Sequence, residues 1–199
     1  MPILTFLTKC LKYWKQTDFK DGRNTDSIDT TIVHMFVLGI DPGLSRCGYG
    51  LVRQEGRRFS AKAAGVIRTE ATTPLADRLS QLQIEIRSLI EEHRPDEVAV
   101  ERVLFSANTR TAMQTGHASG VAMAEAASSG CPVTLYSPTE VKSAVAGWGG
   151  ADKGQIERMV QTLLGIEIPL KPVDAADAVA VALCHLAVIP SLGLSAKVQ

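Results

Sequence analysis

Apolar and polar positions fall into two rhythms along this chain. From Met35 the run MFVLGI is continuously apolar and ends at Asp41, as expected of a strand buried on both faces. YGLVRQ and FSAKAAGVIRT read as two further strands, joined at a tight turn around Glu55–Gly56. The rhythm then changes. Leu75, Leu79, Leu82, Ile86, Leu89 and Ile90 recur at helical spacing, which predicts a helix from Leu75 to His93, broken by Pro95–Asp96. EVAVERV is a fourth strand, and it too carries an acid, Glu101, near its end. A helix capped by Asn108 is expected to run to about Ser129 and stop at Gly130. PVTLYS is a short strand, Pro138 to Ala144 a brief helix, and Gly147–Gly150 a glycine-rich turn. Asp152 opens a helix to about Leu164, and Pro172 precedes a last helix through Leu186. Three strands in succession, followed by alternating helices and strands, predict an α/β domain. Its central sheet is of mixed direction, with three antiparallel N-terminal strands and flanking helices.

Residues 1–34 break the pattern, because the stretch after the first apolar residues is polar and without period. They are expected to be a disordered tail or a non-native extension, with Met35 as the working start. An amphipathic surface helix over residues 3–14 is the alternative. The ordered domain is expected over 35–190, with 191–199 a flexible C-terminus. Apolar residues make up 45% of the chain, enough for a proper core. Formal net charge is zero, so any nucleic-acid surface must be a local basic patch. Cys10, Cys47, Cys131 and Cys184 are scattered without a CxxC pair. That argues against a zinc site or a disulfide framework and favours a reducing cytoplasm. No apolar run is long enough for a membrane helix.

The chemistry lies in the acids. Asp41 and Glu101 end strands built from small and β-branched apolar residues, where an unpartnered carboxylate is costly. Ligands of open α/β sheets gather outside the carboxyl ends of strands, so these two acids meet there if the first and fourth strands are neighbours. Asp174 and Asp177, three apart in KPVDAADAVAVALCH, point the same way from the first turn of the last helix. Acids at a helix start also stabilise the helix dipole, and that ordinary reading competes with a functional one. Ala175, Ala176, Ala178 and Ala180 leave the helix thin enough to press on the sheet. Four clustered carboxylates repel one another unless cations neutralise them. Mg²⁺ takes such oxygen ligands, and two ions about 3.5–4 Å apart form the clamp used in phosphodiester cleavage. Gly43 and Gly48, around the first acid, would let backbone pass close to a phosphate.

At these residues the chain resembles the RuvC family of Holliday junction resolvases. The matching segments are GIDPGLSRCGYGLV, VAVERV, NTRTAMQTGHASGVA, PTEVKSAVAGWGGADKGQI and DAADAVAVALCH, in the family's order, from about residue 36 to 187. The resemblance implies an RNase H-like fold and a homodimer. It implies symmetric nicking of two opposed strands of Holliday junction DNA, dependent on Mg²⁺ or Mn²⁺, beside the RuvA–RuvB branch-migration complex. It makes Asp41, Glu101, Asp174 and Asp177 the catalytic, metal-binding acids. It places Lys142 and Lys153 where the family has DNA-contacting or catalytic lysines. Leu104 and Phe105 stand near a position where the family often has a base-contacting aromatic residue. Arg102, Arg110 and Arg158 join the lysines as candidates for phosphate contact, a solvated face being the alternative for each. The helix from Asn108 to Ser129, rich in small residues, suits a two-fold dimer or close packing on its own sheet. His185 lies about 12 Å along its helix from Asp177, at 1.5 Å per residue, and is expected to be structural. A related nuclease acting on other branched nucleic acid is the nearest alternative function. An actin-like phosphotransferase would need a second phosphate loop and about twice the length.

Overall fold

The computed structural model describes residues 34–103 and 109–195, with side chains through residue 188. Residues 1–33 of the expected tail, Leu104, Phe105 and Asn108 therefore lie outside the described residues, while His34, expected in the tail, begins the first strand. Five strands form one sheet in the order β3-β2-β1-β4-β5. They are β1 (His34–Asp41), β2 (Arg46–Glu55), β3 (Arg58–Arg68), β4 (Glu97–Glu101) and β5 (Val133–Tyr136). The first three pair antiparallel, while β4 runs parallel to both β1 and β5. This is the mixed sheet expected from the sequence, with β1 and β4 side by side.

The helices are α1 (Leu75–His93), α2 (Thr109–Ser128), α3 (Pro138–Ala146), α4 (Lys153–Leu164) and α5 (Val173–Ser195). The two faces of β1 belong to different cores, because alternate side chains point to opposite sides of a strand. Phe36, Leu38 and Ile40 join Leu82, Ile86 and Ile90 of α1 and Ala118 and Ala122 of α2. Val37 faces the other way, into a core built from α3, α4 and α5. Helix α1 has the predicted bounds. Helix α3 runs slightly further than expected, and α5 continues through Ser195, beyond both Leu186 and the expected boundary at 190. Serine and aspartate caps close the starts of α3 and α4. The Ser137–Glu140 and Asp152–Gln155 pairs each satisfy two otherwise unpaired backbone donors.

The seating of α5 decides where its acids go. Gly39 and Gly50 pair across β1 and β2, and together they leave a bare patch on the sheet. A Cβ on Gly39 would collide with the α5 backbone at Ala178 and Ala182, and one on Gly50 with Val179. Gly48, which pairs with Asp41, is covered by the backbone of Asp174 itself. The alanines Ala175, Ala178, Ala180 and Ala182 are essentially inaccessible, so small residues meet small residues along the whole contact. The missing side chain of Gly48 thus accommodates the helix rather than a phosphate. That of Gly43 faces the Arg46 carbonyl inside its own turn.

Candidate active site

The register of β1 and β4 brings the first two acids together. Ile40 pairs with Val100, and Asp41 and Glu101 lie one residue further on both strands. They line a cavity of about 210 Å³ with Pro42, Arg102, Thr111 and Pro138. Because Gly48 carries the start of α5 across from Asp41, Asp174 and Asp177 arrive at the same end of the sheet. The carboxylates act on one another. Burial, reinforced by Glu101, Asp177 and Asp174, pushes the Asp41 carboxyl up to about 7. Burial and Asp177 raise Glu101 as well, while Lys153 and Lys142 pull it partly back.

The helix acids are held differently. Arg46, the first residue of β2, donates through both Nε (3.0 Å) and Nη2 to Asp174 Oδ2. The guanidinium beside Asp174 keeps its carboxyl below the usual range. Lys153 Nζ donates to Asp177 Oδ2 at 3.2 Å, and this pairing raises the lysine. Both cations are open to solvent, with side chains 43% and 79% exposed. Among the described residues no three His, Cys, Asp or Glu side chains already form a metal cage. Asp41 lies within electrostatic reach of the other three acids and Glu101 within reach of Asp177, while Asp174 and Asp177 are each engaged by a solvent-exposed cation. The donor set fits hard divalent ions, since it offers carboxylate oxygens whose mutual repulsion a dication would relieve.

The family model for crossover junction endodeoxyribonuclease RuvC matches residues 37–185. The chain belongs to the RuvC family. The RuvC of Streptomyces griseus is 51% identical over 153 residues, 76% of this chain and 75% of that protein. The RuvC of Desulfitobacterium hafniense is 48% identical over 151 residues, 76% of this chain and 92% of that one. Among solved structures, Thermus thermophilus RuvC in complex with Holliday junction substrate aligns with a TM-score of 0.76 at 34% identity. That alignment covers 80% of this chain and 97% of the other. The RuvC chain described here is accordingly a crossover junction endodeoxyribonuclease, a nuclease of DNA recombination and repair, with the RNase H-like architecture of its structural neighbours.

The remaining sequence candidates divide by position. Lys142, half-buried, acts on Glu101, and Arg102 is exposed at the mouth of the acid-lined cavity. Arg110 lines a separate cavity of about 450 Å³ with Leu44, Arg78, Met113 and His117. Arg158 is exposed on α4. His185 is buried away from the acids, as expected; its Nδ1 lies 2.9 Å from the Tyr136 hydroxyl and its Nε2 3.0 Å from Glu97. Two features escaped the sequence reading. One is Arg46 as the partner of Asp174. The other is a knot behind the Asp41 turn, where buried Arg78 donates to Thr69 Oγ1 (2.9 Å) and Ser45 Oγ (2.6 Å). Thr69 Oγ1 in turn donates to the Leu44 carbonyl at 2.5 Å. A lone arginine inside DPGLSRCG was the available hint for the first; nothing in the linear pattern pairs residues 45, 69 and 78. Among the described residues no helix is long and apolar enough to cross a membrane.

Proposed function

We propose that this RuvC chain resolves Holliday junctions by symmetric nicking of two opposed strands, with Asp41, Glu101, Asp174 and Asp177 holding two divalent ions, Mg²⁺ or Mn²⁺. The observation that carries the reading is the convergence of two strand-end acids and two helix acids at one end of the sheet, two of them raised by burial and by the charge of their acidic neighbours. When bound, such ions supply an activated water and stabilise the leaving oxygen of the scissile phosphodiester. The protein's own groups fix the geometry. Asp41 and Glu101 are immobilised by paired strands, and Asp174 and Asp177 by the glycine-seated start of α5. Lys153 remains a cation beside Asp177 and offers positive charge to a phosphate rather than acting as a base. Lys142, Arg102, Arg110 and Arg158 extend that charge along the DNA arms, and the segment containing Leu104 and Phe105 enters the junction.

Two active sites are needed for two opposed strands, and α2 supports a two-fold dimer. Met113 is 64% exposed, and Gly116 and Gly120 face open space, while Ala118, Ala122 and Ala126 bury the opposite side of the helix. RuvA and RuvB are the natural partners on this reading, which also places the protein in the cytoplasm. Sedimentation at working concentration is expected to show a dimer; a monodisperse monomer would remove that part of the proposal. The decisive test compares a labelled four-way junction with a linear duplex, with and without Mg²⁺. The wild-type protein is expected to nick the junction in Mg²⁺ alone, and Asp174→Asn to bind it without cutting. Cleavage by that variant at the wild-type rate would exclude the role given to Asp174.

A further inference from the structure

Resting on the metal-site reading above, we infer that Arg46 is a built-in counter-ion for Asp174, displaced when a divalent cation binds and then free to take a phosphate of the DNA. Arg46 commits two N–H groups to one carboxylate oxygen of Asp174. The oxygen that accepts both donors is withdrawn from a metal ion, and the guanidinium charge opposes a second cation on the same carboxylate, so guanidinium and metal compete for Asp174. The competition is winnable because the pair is solvent-exposed and so only weakly held, unlike a desolvated one. Asp177 is paired with Lys153 at the same time, so the resting site carries its own positive charge and does not fly apart.

Arg46 is also placed to act again once released. It begins β2, directly after the turn that leads out of Asp41, so its backbone is tied to the catalytic end of the sheet. Among the described residues Asp174 is the only acid it is seen to meet. A freed guanidinium there is a planar fork beside the acids, and phosphate oxygens match it two at a time. The same side chain therefore weakens metal binding when DNA is absent and strengthens DNA binding when metal is present.

These opposite signs separate the inference from a structural role. Mn²⁺ binding to the full-length protein without DNA is measured by calorimetry for wild type, Arg46→Met, Arg46→Lys and Asp174→Asn. Arg46→Met is expected to bind Mn²⁺ about 2–5-fold more tightly than wild type, the range set by an exposed ion pair. Its affinity for an uncut four-way junction in Ca²⁺ is expected to fall by a similar factor. Arg46→Lys, with a charge but no fork, is expected to fall between the two. Unchanged or weaker Mn²⁺ binding by both Arg46 variants would overturn the inference, as would undiminished junction affinity in Arg46→Met. If instead Asp174→Asn binds Mn²⁺ as tightly as wild type, it is the metal-site reading that fails.

Discussion

Strand β4 carries a glutamate at each end, and the two carboxylates are treated in opposite ways. Glu97, at the start, sits 3.0 Å from Nε2 of a histidine that is 1% exposed. His185 in turn contacts the Tyr136 hydroxyl, whose proton burial retains by pushing the phenol up to about 12. The imidazole between these two groups is enclosed by the fold, while Glu97 itself is partly exposed. Glu101, at the other end, faces Asp41 and Asp177 and is moderated by Lys153 and Lys142. The contrast teaches how to tell a structural acid from a working one. A structural acid finds its partner inside the protein and keeps it, whereas a working acid is left with charge that only something from solution can settle.

Paired substitutions test the contrast most sharply. Glu101→Gln is expected to lower junction cleavage by about 10³-fold or more, the scale of several kcal/mol of lost ion-borne stabilisation, with the metal-free unfolding midpoint no lower than wild type because burial already disfavours the charged carboxylate. Gel-based cleavage rates beside urea melts would measure both; a rate within tenfold of wild type would break the distinction. At the opposite end, His185→Ala leaves Glu97 and Tyr136 without their partner. A loss of about 2–4 kcal/mol in urea unfolding is expected, less than for a wholly buried pair because Glu97 is partly exposed. Cleavage per folded molecule should be unaltered, and a selective loss of activity at full stability would contradict the structural role.

A subtler effect concerns pH. The folded chain holds the Asp41 proton more tightly than the unfolded chain, since its carboxyl is raised from 3.8 to about 7. The resulting contribution to stability is complete below 3.8 and is lost as pH rises to about 7. Asp41→Asn, which never ionises, should therefore match the metal-free wild type near pH 4 and melt higher at pH 8. A rise of a few degrees is expected, at about 2–4 °C for each kcal/mol in a chain of this size. Saturating Mg²⁺ should raise the wild type and not the variant. Coincident melting curves for the two metal-free proteins at pH 8 would show that Asp41 is not burdened by its charge.

Much of this architecture was legible in the residues. The apolar run before Asp41, the helical spacing from Leu75 and the capping signals at Asp152 gave elements close to those observed, because each rests on local physics. The DxxD pair was readable as two acids on one helix face. Less accessible were contacts between distant segments. That Gly39 and Gly50 pair, and that Gly48 meets Asp174, depends on strand register and on the angle of α5, neither of which the linear pattern encodes. Gly48, read as room for a phosphate, proved to be room for the helix, while Gly43 meets the Arg46 carbonyl inside its own turn. Arg46 escaped for the same reason, being 128 residues from the aspartate it holds.

The bare patch of Gly39, Gly48 and Gly50 also bears on how this nuclease tolerates change. A single methyl group there, ordinarily among the mildest of alterations, would act as a shim beneath α5 and lift Asp174 and Asp177 at once. Misplacement of about 1 Å in a site of this kind can cost about 10²-fold in rate. The thinnest part of the molecule is thus where its chemistry is most easily thrown out of alignment.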